Sequence, residues 1–169
     1  YQNEFGCSHL LRNETEGLEW LKKEWESTTH LKESDCDDIG NGLCRLNLAA
    51  AKAKNLNVST LSRFLLNTAK TYTGTISGLE TKFNMILRLC ADKGLPFDCS
   101  ELEKSLAMYR ENGYPAVSHS NRYRQCYTPA YRVVKKAYCD FLPLFCKIDG
   151  LLHSKSNPII AIEGNAASG

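Results

Sequence analysis

The last twelve residues, Pro158 to Gly169, read PIIAIEGNAASG, and the chemistry they suggest is phosphate binding. The apolar run Ile159-Ile160-Ala161-Ile162 leads through Glu163 into Gly164-Asn165-Ala166-Ala167-Ser168-Gly169. A phosphate-binding loop has the pattern G-x-x-x-x-G-K-[ST] directly after a strand. Its backbone N–H groups and the N-terminus of the next helix face the phosphates, and its glycines let the backbone come close. The lysine neutralises charge, and the hydroxyl helps to hold Mg²⁺. Two glycines five apart are weak evidence alone; the apolar run before them and the small residues between them strengthen it. The sequence ends where the lysine should come, so it reads as a piece of a longer protein. Without that lysine and the following helix, this piece is expected to hold nucleotide poorly.

A second stretch, Tyr114 to Lys136, could also carry chemistry. It contains Arg122, Arg124, Arg132, Lys135 and Lys136, and no Asp or Glu lies between Pro115 and Lys136. Tyr123, Tyr127 and Tyr131 recur every four residues, which would place them on one face of a helix. Arginines interleaved with tyrosines suit an anionic, planar or phosphorylated ligand. The candidate ligand contacts are His119, Arg122, Arg124, Tyr131 and Arg132, with the arginines on an anionic group and Tyr131 stacking. The competing structural account is that the tyrosines pack and the basic residues form a solvated face. At the amino end, Tyr1, Glu4 and His9 could gather polar groups near Gly6 and Cys7, though a lone histidine is more often structural. Asp35, Asp37 and Asp38 lack the downstream glycine and glutamate of a calcium loop.

The bulk numbers bound the function. The 169 residues fit one domain, and 43% hydrophobic with 24% charged residues argues against disorder. A net charge of +2 does not call for nucleic acid or a membrane surface as partner. No apolar run approaches the about 20 residues that span a bilayer. No basic stretch followed by an apolar one suggests a secretion signal, so the reading is cytoplasmic. The eight cysteines show no C-x-x-C and no zinc spacing, and several fall on apolar helix faces. They read as reduced thiols. Asn13-Glu14-Thr15 and Asn57-Val58-Ser59 match the glycosylation pattern but mean little without secretion.

The elements that must position these residues read as helices up to about residue 155. Asn13 with Glu16 resembles a capping box ahead of Leu18, Leu21 and Trp25. A stripe Ile39, Leu43, Leu46, Ala50, Ala53 follows at helical spacing, with Gly40-Asn41-Gly42 allowing a bend or close helix contact. Ser59 reads as the N-cap for Leu61, Phe64, Leu65, Ala69 and Tyr72. Ser77 with Glu80 opens Leu79, Phe83, Ile86, Leu87 and Cys90, closed by Gly94 and Pro96. Ser100 with Glu103 opens a short helix ended by Gly113 and Pro115. Thr128 and Pro129 begin the longest helix, striped Val134, Tyr138, Phe141, Phe145, Ile148 and Leu152, with a kink or break expected at Pro143. The expected fold class is therefore all-α: an irregular bundle of six or seven helices over residues 1–155. Residues 156–169 are expected to be a short strand and loop left over from a P-loop α/β domain.

"IIAIEGNAASG" resembles the opening of the uridine-kinase and deoxynucleoside-kinase type of P-loop phosphotransferases. The stretches YQNEFG with His9, IGNGLCRL (Ile39 to Leu46) and GYPAVSHSNRYRQCYTPAYRVV (Gly113 to Val134) are similar to the N-terminal region of uncharacterised bacterial proteins. In those proteins such a region precedes a uridine-kinase-like domain. The resemblance implies a cytoplasmic, ATP-dependent small-molecule kinase as parent, with ATP and Mg²⁺ as its cofactors. It also implies a C-terminal kinase domain as the partner of the helical part. ATP would be held by Gly164, Asn165, Ala166, Ala167, Ser168 and Gly169 together with residues beyond them. The resemblance assigns the helical part no known job; the leading reading makes it non-catalytic, covering the active site, contacting the acceptor or mediating oligomerisation. The alternative is a stand-alone helical binding module with no kinase role.

Overall fold

The computed structural model of the protein describes residues 1–11, 14–29, 34–127, 129–155 and 157–164. A short helix α1 (Gln2–Phe5) and a 3-10 turn (Ser8–Leu11) precede α2 (Glu14–Ser27). A hairpin follows, β1 (Cys36–Gly40) and β2 (Leu43–Asn47), and then α3 (Leu48–Ala53), α4 (Val58–Thr71), α5 (Ile76–Ala91) and α6 (Cys99–Glu111). The chain continues through α7 (Asn121–Tyr127), β3 (Tyr131–Lys135), α8 (Lys136–Asp140) and α9 (Leu142–Ser154). The three strands form one antiparallel sheet in the order β1-β2-β3.

The sheet overturns the all-α expectation. In place of one helical stripe from Ile39 to Ala53, the chain makes a hairpin that runs into a six-residue helix. The cause is local. Asn41 and Gly42 both take positive φ (58° and 73°), as a two-residue hairpin turn requires, and Asn-Gly supplies that at the lowest cost. Gly40 is also left-handed (φ 78°), and the pairing register shifts between Asp38 and Gly40. The central strand β2 buries Leu43, Cys44, Leu46 and Asn47, so both of its faces are covered. Asn47 then caps α3, its side chain accepting from the Ala49 and Ala50 amides.

The expected long C-terminal helix also divides. Tyr131–Lys135 is β3, paired with β2 from Leu43↔Lys135 to Asn47↔Tyr131. The adjacent β-branched pair Val133 and Val134 is fully buried there. The helix resumes as α8 and breaks at Phe141, and Pro143 falls in the first turn of α9. That is the break its missing N–H predicts. Phe141 and Leu152, expected on the core stripe, are exposed, and Leu142 is buried in their stead.

The main core joins Leu21, Leu43, Leu46, Leu48, Leu61, Phe64, Leu65, Val133, Val134 and Leu142. Phe64 stacks on Tyr138 at 4.3 Å and meets the edge of Phe145 at 4.7 Å, which seats α4 against α8 and α9. Three helix starts fall two residues ahead of the expected serines. Asn57, Thr75 and Asp98 are the true N-caps. The serines serve the caps: Ser59 and Ser100 hydroxyls donate to Asn57 and Asp98 (2.9 and 2.6 Å), and Ser77 Oγ lies 3.2 Å from Thr75 Oγ1. The caps expected at Asn13 and Thr128 lie outside the described residues.

The strand expected at Ile159–Ile162 is not formed. Residues 157–164 pair with neither sheet edge, and Ile159 and Ile162 are 96% and 97% exposed. A lone strand has no ladder to join. Among the described residues, no helix is long and apolar enough to cross a membrane.

Candidate functional site

The amino-terminal segment forms one wall of an open cleft, and Glu4 pins it. Glu4 is 6% exposed, and its carboxylate accepts from the Thr75 amide (2.7 Å) and from Lys82 Nζ. Burial pushes its pKa up, but the hydrogen bonds from Lys82 and Thr75 outweigh that and leave it below the usual carboxylate value. Asn3 Nδ2 donates to the Ile39 carbonyl, and the Asn3 carbonyl accepts from Asn41 Nδ2 (3.0 Å) and Tyr72 Oη (3.2 Å). Cys7 Sγ donates to the Val133 carbonyl at 3.2 Å, and burial pushes its thiol up to about 11. Residues 1–7 are thereby tied to the hairpin turn, to the start of α5 and to β3.

The cleft lies between that segment, α2, the sheet and the loop around His119, with a volume of about 510 Å³. Four of the five expected ligand contacts line it: His119, Arg124, Tyr131 and Arg132. Arg122 does not line it; it is exposed on α7. The tyrosine row is divided as well. Tyr123 and Tyr127 lie on α7 with rings 4.8 Å apart, and Tyr131 lies on β3. His119 bridges the two parts, stacking on Tyr123 at 4.5 Å and meeting Tyr131 edge-on at 5.8 Å.

The sheet register sets the rest. Arg45 pairs with Val133 and Asn47 with Tyr131, so Arg45 and Tyr131 stand on the same face, diagonal to each other. The Arg45 guanidinium lies over the Tyr131 ring at 5.0 Å, and its Nε donates to Gln2 Oε1 at 3.2 Å. Tyr131 Oη donates to the same Gln2 oxygen at 3.1 Å and lies 2.7 Å from His119 Nε2. A hydroxyl has one proton to give, so the Tyr131 oxygen accepts from His119, whose proton then sits on Nε2. Arg124 Nε donates to the His119 carbonyl at 3.2 Å and orders that loop.

The three arginines differ in charge balance. Arg132, 11% exposed in its side chain, pairs with Glu24 Oε2 at 2.6 Å. Among the described residues no carboxylate pairs with Arg45 or Arg124. Both guanidinium groups line the cleft, and Arg124 is exposed. Asn3 adds an acceptor, since its Oδ1 is buried with no hydrogen-bond partner among the described residues. Trp20 on α2 supplies an exposed aromatic surface at the rim.

Burial holds the His119 imidazole below its ordinary pKa, and the nearby Arg124 and Arg45 charges add to that. The folded chain then takes up the His119 proton less readily than the unfolded chain does. Its contribution to stability is complete above the ordinary histidine value of about 6.5 and is lost as pH falls through the lowered value. We expect the thermal midpoint to drop between pH 7.5 and 5.5 by more than in His119→Gln, which keeps a donor near Nε2 but cannot titrate. Equal slopes would remove His119 as the cause.

The local part of this cleft is legible in the sequence; Gln2, Asn3, Trp20, Glu24 and Arg45 are not. The one available signal was the Asn41-Gly42 turn, which would have placed Arg45 on a strand. Of the expected phosphate-loop residues, Gly164 is exposed and lies in no helix or strand, and Asn165, Ala166, Ala167, Ser168 and Gly169 lie outside the described residues. The described residues supply no phosphate cradle there. Among them, no group of three His, Cys, Asp or Glu side chains is placed to hold a metal ion. Comparisons with protein-family models, with curated proteins and with solved structures return no match to this chain.

Proposed function

We propose that this chain is a non-catalytic binding domain whose cleft takes a small planar molecule bearing an anionic group. One observation carries the reading: among the described residues, Arg45 and Arg124 have no carboxylate partner, in a cleft that also offers the rings of Tyr131, His119 and Trp20. A guanidinium donates in a planar fork that matches a carboxylate or phosphate, and aromatic faces favour a flat ring. The groups on display are hydrogen-bond donors, positive charge and π faces, beside the Asn3 Oδ1 acceptor and the Arg132-paired Glu24 carboxylate, and they suit recognition and orientation.

In the ATP-dependent small-molecule kinase that the terminal motif suggests, this cleft would hold the acceptor. ATP and Mg²⁺ would belong to Gly164–Gly169 and a kinase domain beyond. That extension is supported by the sequence pattern alone. The cleft reading stands without it, because every lining residue lies between Tyr1 and Arg132. A stand-alone binding module would use the same cleft.

The test is calorimetric titration of the chain with three probes: uridine 5′-monophosphate, uridine and inorganic phosphate. We expect the nucleotide to bind more tightly than either half alone, and its affinity to weaken with added salt. Equal affinity for the nucleotide and phosphate would remove the ring site. No saturable binding of any of the three would overturn the reading.

A further inference from the structure

Helices α5 and α6 form a hairpin whose two ends are fastened differently. α6 packs chiefly on α5 and buries none of its own side chains. At one end Arg110 grips Glu80 with two hydrogen bonds of 2.9 and 2.7 Å, and Tyr114 Oη adds a third at 2.7 Å. The Arg110 contact, then that of Tyr114, holds the Glu80 carboxyl down to about 2, so this end stays fastened across the physiological range. At the other end no ion pair links the two helices among the described residues; Lys104 pairs with Glu101 within α6. There, Cys90 in the last turn of α5 faces Cys99, the first residue of α6. Their sulfurs lie 2.8 Å apart, Cys99 donating to Cys90, and Cys90 Sγ donates to the Phe97 carbonyl at 3.3 Å. Cys90 is buried and Cys99 is partly exposed, so Cys99 is the more accessible of the two. Both thiols are free, and neither lines the cleft.

We propose that Cys90 and Cys99 are a redox pair, converted by a small-molecule disulfide of the glutathione type into an intrachain disulfide that locks the α5–α6 hairpin. Closure needs the sulfurs to move from 2.8 Å to about 2.05 Å. Cys99 gives up its proton and its sulfur attacks one sulfur of the reagent; that S–S bond breaks, and one thiolate leaves with the electron pair. Cys90 then loses its proton, and its sulfur attacks Cys99 Sγ, displacing the second thiolate. Two protein thiols are oxidised by two electrons, and the reagent is reduced to two thiols that take up the two protons.

The sequence offers a direct readout. Trypsin cuts after Arg88, Lys93 and Lys104, so Cys90 and Cys99 fall in separate peptides, LCADK and GLPFDCSELEK. After treatment with oxidised glutathione and digestion, we expect these two peptides to travel as one species that separates on reduction. We expect the thermal midpoint of the oxidised chain to rise by roughly 5–10 °C. Cys90→Ser should leave Cys99 carrying glutathione, because the resolving thiol is gone. Cys99→Ser should leave Cys90 unmodified, because its sulfur is covered. Separate peptides in the oxidised chain, or Cys90 joined to any other cysteine, would overturn the pairing.

Discussion

Gly74→Ala should cost about 2–4 kcal/mol of stability, more than the same change at Gly78, Gly94 or Gly150. A Cβ at Gly74 would collide with the Glu4 carbonyl oxygen, and would stand 2.6 Å from the Glu4 carbonyl carbon and 2.9 Å from Phe5 Cδ1. The obstacle is backbone, and it has nowhere to go. Glu4 and Phe5 donate to the Tyr1 carbonyl at 3.0 and 2.9 Å, and the Glu4 carboxylate is held by Thr75 and Lys82. At Gly78 the collision is with the Glu4 carboxylate itself, 2.6 Å away at Cδ. That side chain can turn aside, but only by releasing Thr75 and Lys82, so Gly78→Ala should cost about 1–3 kcal/mol. Gly150, inside α9 with nothing within 4 Å of a built Cβ, is the control: Gly150→Ala should gain about 0.5–1 kcal/mol. Urea unfolding with unchanged slope would read all three. A Gly74→Ala chain within about 0.5 kcal/mol of the parent would mean that the amino-terminal segment is not seated as described.

Arg45→Ala and Arg124→Ala should each weaken binding of the nucleotide probe by roughly 10- to 100-fold, and together should abolish it at millimolar concentration. A hydrogen bond to a charged group is worth about 1.5–3 kcal/mol, which is that range of affinity. The two arginines would serve one anion, so their effects need not add. Arg45→Lys should recover part of the loss, since it keeps the charge but gives up the planar fork over Tyr131. Arg122→Ala should leave affinity within twofold, because Arg122 is exposed outside the cleft. Equal losses in Arg122→Ala and Arg45→Ala would reduce the effect to net charge and dissolve the site.

Long amphipathic helices were the legible part of this fold. Leu61, Phe64 and Leu65 on α4, and Leu79, Phe83 and Cys90 on α5, recur at helical spacing and are buried as that spacing requires. The strands were hidden for a physical reason. β2 is covered on both faces, so its hydrophobic residues do not alternate, and the interval from Leu43 to Leu46 imitates a helix turn. β3 runs directly into α8, so Val134 and Tyr138 fall four apart and extend a helical stripe back into a strand. The cleft divides in the same way. His119, Arg124, Tyr131 and Arg132 could be found together because they are close in sequence. Gln2, Glu24 and Arg45 come to them through strand pairing and tertiary packing, which no local pattern announces.

The most direct test of the cleft is a two-dimensional amide and indole NMR titration of the ¹⁵N-labelled chain with uridine 5′-monophosphate. We expect saturable shifts confined to the amino-terminal segment, Arg45, the Trp20 indole and the stretch from His119 to Arg132. Shifts that centre elsewhere, or none at millimolar probe, would contradict the cleft reading.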